Sequence, residues 1–473
     1  MAMHPYQQHR LRRISFGVLL RRSALIAALA LHVGLPTAAC AQSLGAFPPN
    51  SVNRPIDPDA TAHSRVVVSI RPVGKIPYDG LVLPIVSPDG RAIATQSGRA
   101  PSWNCLFADK GCPPPVGLAL SAYSISIAPE PAASPDGSRD ANKPDKPHSP
   151  RGLSAIKWNK PLLPGLLLGR AADEQGFLVE APQPSGARWI GHVKWLTGEI
   201  NWLVRDEQLR TVNAHAALAD DGALVFVRRP LDRASFDLVL RTRRGDSSTD
   251  IVVAAPNGSE SYTYPFISPD GTVVAAFAVP TDDLASGMVS LVAFARLDPT
   301  IGKSLSLVEI SRLEIGRGGM QAAYQSSATM QLPAALAKSR RAAATSTTLN
   351  DVRAIFAAGL LFLSPRDGTT IWWEPRRSQV INFAPGSFAA APFQHSDFGV
   401  LLAGDTDLTY QPLRKSKELP DGLATSRQVA VMAGRCIPRG TVLESGLSIV
   451  LTQPGSGSEL AFNVILIEPA KAD

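Results

Sequence analysis

The sequence of 473 residues predicts an all-β fold, a single β-propeller of four-stranded antiparallel blades. Three observations predict it. Short apolar runs rich in Val, Ile and Leu are bounded by turn residues, and helical periodicity is scarce. One strand–turn–strand unit recurs along the chain. Its turns near 174, 221 and 270 stand 47 and 49 residues apart, about the length of one blade.

The unit is clearest where Leu81–Val86 leads into Ser87-Pro88-Asp89-Gly90 and then Arg91–Thr95. Pro presets φ at the first central position, Asp supports the bend through its side chain, and Gly accepts a positive φ. It returns as Phe266-Ile267, Ser268-Pro269-Asp270-Gly271 and Thr272–Phe277. Degenerate copies are Asp173–Gly176 before Phe177-Leu178-Val179, and Leu218–Gly222 before Ala223–Val227. A further copy, Ser134–Gly137, lies in a Pro-rich stretch without strands and reads as a chance match. Leu360–Leu363 meets Ser364–Gly368 and then Thr369–Trp373, which reads as the second hairpin of a blade. Ser396–Gly399 precedes Val400–Ala403 as one more turn.

Turns near 89, 174, 221, 270, 366 and 397 suggest six blades. An early strand, Val66–Ile70, and a late hairpin, Leu447–Leu451 with Ala461–Ile467, supply the parts of a seventh. Building one blade from both chain ends would cover the edges at the seam. The expectation is therefore seven blades, with strand 66–70 in the sheet of 461–467; six is the alternative.

The stretch Ser87-Pro88-Asp89-Gly90-Arg91-Ala92-Ile93-Ala94 resembles the repeat of TolB-type β-propellers, a WD-like blade, and Leu361–Gly368 resembles the later part of that repeat. The good matches cover about a quarter of the mature chain. The resemblance implies a ring of four-stranded blades around a channel and implies no reaction, because function resides in sites set on a fold.

Residues 1–41 read as a signal peptide: Arg10, Arg12, Arg13, Arg21 and Arg22, the apolar run Ser23–Val33, and Ala39-Cys40-Ala41 as the cleavage pattern, giving a mature N-terminus at Gln42. A lipid anchor on Cys40 and a retained membrane anchor are the alternatives. The mature chain carries no later run long enough to span a bilayer. The expected organisation is the leader, a disordered arm over 42–63, and the propeller over 64–473, with mobile insertions near 130–152 and 313–349. Residues 333–345 could form a short Ala-rich helix.

The net charge of +7 belongs mostly to the leader; without it 42 basic and 40 acidic side chains remain, which argues against a nucleic-acid partner. Cys105 and Cys112 stand close enough for a disulfide in an oxidising compartment, two free thiols being the alternative. Cys436 is left over as a small apolar residue.

Local signatures of chemistry are missing. There is no Gly-x-Ser-x-Gly elbow and no His-Glu-x-x-His. Gly302-Lys303-Ser304 ends like a phosphate loop, but Leu297 stands where the first Gly is needed. His63, His148, His192, His215 and His395 show no metal-ligand spacing, and His215 reads as part of a structural hydrogen-bond network near its turn. Asp89 and Asp270 read as turn formers. Trp189, Trp195 and Trp202 form the one aromatic cluster, read as packing between blades, with sugar stacking as the other use. No catalytic, metal or cofactor residue is assigned. The expected function is an exported, periplasmic or extracellular, monomeric scaffold that binds a protein or cell-envelope component. The alternative is an exported propeller enzyme, a hydrolase or lyase on glycans, whose site no local motif reveals.

Overall fold

The two Ser-Pro-Asp-Gly turns close in the same way. Ser87 Oγ donates to Asp89 Oδ1 at 2.5 Å and accepts the Ala92 N–H at 2.9 Å. Ser268 Oγ donates to Asp270 Oδ1 at 2.5 Å and accepts the Val273 N–H at 2.9 Å. In each, the turn Gly donates its N–H to the Ser carbonyl at 2.8 Å, with φ of 69° at Gly90 and 70° at Gly271. A side chain there would strain the backbone, so Gly is required. The degenerate copies reach the same end differently: Asp173 Oδ1 accepts the Gln175 and Gly176 N–H groups, and Asp221 Oδ1 accepts that of Ala223.

The computed structural model describes residues 68–77, 82–99, 103–107, 112–113, 116–126, 152–244, 247–268, 270–297, 305–329, 360–363, 370–377, 379–382, 389–394, 398–403, 407–412, 426–431, 435–439, 448–453 and 461–469. All of them belong to one unit, Arg54–Asp473. The leader, the arm 42–63, the insertion at 130–151, residues 330–349, the turns at 364–369 and 395–397, and His63, His148, His395 and Lys303 lie outside the described residues.

Strand β1 (Val68–Pro77) comes first. The next sheet orders β2 (Ile85–Val86), β3 (Ala92–Arg99), β4 (Val116–Ser126) and β5 (Gly152–Ala155). Then come β6 (Leu167–Ala172), β7 (Gly176–Pro182), β8 (Arg188–Lys194) and β9 (Ile200–Val204), followed by β10 (Thr211–Leu218), β11 (Leu224–Pro230), β12 (Asp237–Arg244) and β13 (Ser247–Val253). These two groups of four join through one parallel contact, Val212 with Arg188. β14 (Glu260–Ile267), β15 (Val273–Pro280), β16 (Met288–Leu297) and β17 (Ser306–Arg317) form the next sheet, followed by helix α1 (Gly319–Thr329). A three-stranded sheet holds β18 (Leu360–Leu363), β19 (Thr370–Glu374) and β20 (Gln379–Asn382). β21 (Ala389–Gln394), β22 (Phe398–Ala403), β23 (Asp407–Pro412) and β24 (Arg427–Val431) make another. Last are β25 (Arg435–Arg439), β26 (Ser448–Gln453) and β27 (Ala461–Pro469), and β1 pairs antiparallel with β27, Ile70 opposite Ile467. Both ends of the described chain therefore share one sheet.

Two second strands, β7 and β15, are buried on both faces. Every residue of β15 from Val273 to Val279 is buried, and β7 is buried from Gly176 to Ala181. A strand with no solvent face needs a neighbour on each side. The apolar clusters supply them, each shared by two sheets or by the two groups of four within the joined sheet. Ile93 and Ile125 pack with Phe462 and Val464; Ala94 and Ala122 with Phe177 and Val193; Leu178 and Ile190 with Phe226 and Val239. Val225 and Leu238 pack with Val274 and Val292; Phe277 and Leu291 with Leu360 and Trp373; Leu401 and Tyr410 with Ile467.

One expectation differs from this arrangement. The stretch 313–349, read as a mobile insertion, begins inside β17 and continues as α1, whose Met320, Ala322, Ala323, Ser326 and Ser327 are buried. Its Ala, Ser and Gly content, read as loop composition, is what lets the helix lie close to β18; Ser326 Oγ donates to the Leu363 carbonyl. Among the described residues the Leu360–Trp373 hairpin, read as the second of a blade, consists of β18 and β19, with β20 adding beyond β19; residues 350–359 before it lie outside the described residues.

Candidate functional site

Strands β6, β10 and β14 each open a group of four, and β10 lies against both of the others. Each breaks register with its partner at one place: between Leu168 and Ala172, between Ala214 and Ala217, and between Thr263 and Phe266. Such bulges re-aim side chains out of the ladder. They bring forward Arg170, His215 and Tyr264. His215 and Tyr264 each stand seven residues before their turn glycine, Gly222 and Gly271, and both have positive φ, 56° and 45°. The opening strands of two consecutive groups, β10 and β14, thus hold a non-Gly residue in the left-handed region at the same place, a conformation that persists only where its surroundings enforce it.

The surroundings are a buried polar cluster. The His215 and Tyr264 rings stack with centroids 4.0 Å apart, and the Arg170 guanidinium carbon sits 4.9 Å from the Tyr264 centroid. Tyr324 of α1 packs edge-on to Tyr264 at 5.9 Å. Thr263 Oγ1 lies 3.0 Å from His215 Nδ1. Glu180, 7% exposed on β7, accepts from Arg188 Nη1 at 2.6 Å with one oxygen and from the His215 N–H at 2.7 Å with the other. The second bond satisfies the donor that the bulge frees from the β10–β11 ladder.

Burial raises the Glu180 carboxyl, but Arg188 and the His215 side act against it and hold it below the ordinary carboxylate range. Burial drives His215 down to about 3, with Arg170 and Arg188 pushing the same way and Glu180 opposing. His215 is therefore a neutral ring near pH 7. Burial also lowers Arg170 to about 10, against the pull of Tyr264 and Glu180, so it stays charged. Burial raises the Tyr264 hydroxyl well above its usual value, which keeps it a donor.

The sign of the resulting pH dependence follows. Unfolded, His215 takes a proton below about pH 6.5; folded, it does not until about 3. Its contribution is complete above pH 6.5 and is lost as the pH falls, at up to ~1.4 kcal/mol per unit. Between pH 6.5 and 5 the carboxylates contribute little. Replacing His215 by Asn, which tolerates positive φ, is expected to flatten the slope of unfolding free energy against pH in that window. An unchanged slope in urea titrations would show that His215 is not held neutral.

A disulfide-closed loop covers this region from a distant part of the chain. Cys105 and Cys112 are bonded to each other between β3 and β4. Leu106, 3% exposed, enters the cluster of Val212, Phe236 and Tyr262, and Phe107 meets Phe236 edge-on at 5.1 Å. Arg229 Nη2 donates to the Leu106 carbonyl at 2.8 Å, and Arg188 Nη2 reaches Cys112 Sγ at 3.4 Å. Closing so short a loop removes about 2.5 kcal/mol of chain entropy from the unfolded state. Reduction, or Cys105→Ala with Cys112→Ala, is expected to lower thermal stability by about that amount; a melting curve that ignores reductant would count against the loop as a clamp.

The remaining residues singled out in the sequence fall elsewhere. Asp89 and Asp270 are occupied in their turns. His192 Nε2 lies 3.1 Å from both Asp173 carboxylate oxygens. Trp189 and Trp195 donate to the backbone carbonyls of Asp206 and Asp173, Trp195 packs on Phe177, and Trp202 meets Trp189 edge-on. Among the described residues, His215 is the one sequence candidate that enters the cluster. Arg170, Glu180, Arg188, Tyr264 and Tyr324 were not singled out, although one signal was present: Arg170 and Glu180 interrupt apolar strands, and a charge there must be partnered or used. Among the described residues, no three His, Cys, Asp or Glu side chains are gathered as metal ligands, and no helix is long and apolar enough to cross a membrane.

No protein-family model matches the chain, and no curated protein matches it. Among solved structures it is similar to a puromycin-hydrolyzing peptidase of Mycobacterium tuberculosis, at 11% identity over 84% of this chain and 55% of that one, TM-score 0.40. Prolyl oligopeptidase B from Galerina marginata is similar at 12% identity over 83% of this chain and 46% of the enzyme, TM-score 0.36. A putative TolB from Agrobacterium tumefaciens is similar at 15% identity over 50% of this chain and 81% of that one, TM-score 0.25. The chain spans about half the length of the two peptidases.

Proposed function

We propose that this chain is an exported seven-bladed β-propeller that acts as a non-catalytic scaffold, binding a protein or cell-envelope component through the cluster around Arg170 and Tyr264. The blade count rests on the grouping of strands and on β1 pairing with β27, with apolar clusters joining one sheet to the next. In such a ring β6, β10 and β14 would line the channel, where a rigid frame presents side chains to a ligand. Export rests on the basic, apolar and small-residue order of 1–41 and on the Cys105–Cys112 bond, which suits an oxidising compartment.

One observation carries the choice of binding over catalysis. The groups that could exchange protons are already committed: Glu180 is held by Arg188 and the His215 N–H, and His215 is neutral and stacked on Tyr264. A general acid or base works best with its pKa near the operating pH, and His215 sits far below it.

A second reading has its own support. Arg, His, Tyr and Glu converge in one place, the composition that a glycan hydrolase or lyase would need. The test separates the two. The purified chain is immobilised and exposed to solubilised envelope fractions, and in parallel assayed on a panel of neutral and acidic polysaccharides. Retention of a defined component, lost when Arg170 is replaced by Gln, supports the scaffold. Turnover of a polysaccharide that the same substitution abolishes replaces it with the enzyme.

A further inference from the structure

One helix closes over the groups around Arg170 and Tyr264. α1 touches β14, β18 and β21. Its C-terminal end reaches β6, where Arg170 Nη2 donates to the Ser327 carbonyl at 3.3 Å. Tyr324 lies against Tyr264, the ring centroids 5.9 Å apart. These strands belong to four different sheets. In the ring proposed above, α1 therefore stands in the channel. Beside it, Arg170 Nε and Nη1 and the Tyr264 hydroxyl are buried without an acceptor, Tyr264 being 2% exposed. A ligand meets none of these atoms while α1 stays in place.

The contacts of α1 suit a seat that can be left. Its buried residues are Met320, Ala322, Ala323, Ser326 and Ser327, of which only Met320 brings a large apolar side chain. Hydrophobic hold scales with apolar area, so the helix is weakly retained for its length. It starts from Gly318 and Gly319, whose φ values are 129° and 51°. Two glycines in tandem can absorb the rotation of a hinge. At its other end, residues 330–359 separate α1 from β18, a connection long enough to let the helix leave. Docking also withholds water from the three buried donors and returns one long hydrogen bond. Undocking hydrates them again. The seat is nonetheless specific. The last carbonyls of a helix lack partners and carry its negative dipole end, and Arg170 supplies the matching charge.

We propose that α1 is a detachable plug that swings on Gly318 and Gly319, sealing Arg170 and Tyr264 when docked and opening them to the channel when undocked. The inference rests on the scaffold reading only in taking the opened cluster as the place where the ligand binds; the movement itself needs no ligand. Arg188 serves as the internal reference. Its partners are Glu180 and Cys112, on the side of the cluster covered by the disulfide loop, so departure of α1 leaves it covered.

The test uses the folded full chain and two chemical probes. Ser327→Cys puts a thiol at a position 2% exposed on α1, and Val274→Cys puts one at a position 0% exposed on β15. N-ethylmaleimide labelling, read by peptide mass, reports how often each position opens. Position 327 is expected to react at least about a hundredfold faster than position 274, since local opening is more frequent than global unfolding. Phenylglyoxal, which modifies guanidinium groups, then reads the cluster itself. A Cβ at Gly319 would overlap the Leu284 carbonyl, so Gly319→Ala unseats the first turn. It should raise modification of Arg170 by about tenfold and leave Arg188 unchanged. Ser326→Ala removes the bond to the Leu363 carbonyl without adding bulk. It is the gentler variant should Gly319→Ala fail to fold, and a rise of about fivefold is expected for the loss of one hydrogen bond. The proposal is overturned if positions 327 and 274 react at the same rate, if Arg170 is no more reactive in the folded variants, or if Arg170 and Arg188 rise together. No ligand enters these measurements, so their failure leaves the scaffold reading standing, and failure to retain an envelope component leaves the plug standing.

Discussion

Removing residues 461–473 is expected to unfold the entire chain rather than fray one end. β27 is the strand between β1 and β26, so its loss strips β1 of its partner. It also contributes to two clusters. Phe462, Val464 and Leu466 pack with Ile93 and Ile125 of the following sheet, and Ile467 packs with Leu401 and Tyr410 of the preceding one. All four are at most 3% exposed. At about 1.5–3 kcal/mol each, their burial amounts to about as much as the whole stability of an ordinary domain. In a closed ring the effect would not stop at the neighbours, because each sheet is held from both sides. Hydrogen exchange reads this directly. Amides of β11 and β15, far from the deletion in sequence, should lose protection along with those of β1. A milder variant, Phe462→Ala, should keep the fold and cost about 3–5 kcal/mol. Retained protection in β11 and β15 after the deletion would mean that the sheets stand without closure.

Much of this architecture was legible from the sequence because it is locally encoded. Ser87 and Asp89 close their turn with their own side chains, and Ser268 and Asp270 repeat the bonds to within 0.1 Å; nothing distant is required. Strand 66–70 joining the strand at 461–467 followed from the need to cover an edge, and Ile70 lies opposite Ile467. Helix α1 was illegible for a physical reason. Its sequence, Gly-Met-Gln-Ala-Ala-Tyr-Gln-Ser-Ser-Ala-Thr, has no broad apolar stripe, and close packing of small side chains against β18 holds it instead. The polar cluster was illegible for another. Arg170, Glu180, Arg188, His215 and Tyr264 come from five strands, and bulges rather than a motif bring three of them together. Short-range pattern carries no information about which bulge faces which.

Replacing Glu180 is expected to be the most damaging single substitution in the cluster. Glu180→Leu leaves two groups stranded at once: the Arg188 guanidinium, 6% exposed, and the His215 N–H. Breaking a buried ion pair from one side costs about 3–5 kcal/mol, because the remaining charge has lost its counter-ion and cannot reach water. The cost of the His215 N–H adds about 1–3 kcal/mol, and that residue is already held at positive φ. The double variant Glu180→Leu with Arg188→Met separates the two parts. It removes the stranded charge and keeps roughly the same volume, an exchange that is often neutral or better for a buried pair. Stability should therefore recover by about 3 kcal/mol, though not completely, because the His215 N–H still has no acceptor. Urea unfolding of the parent, the two single variants and the double variant gives the coupling energy. Full recovery in the double variant would mean that the bond from His215 to Glu180 contributes nothing. No recovery would mean that Arg188 is held by its contact with Cys112 rather than by Glu180, and that the disulfide loop, not the ion pair, fixes the cluster.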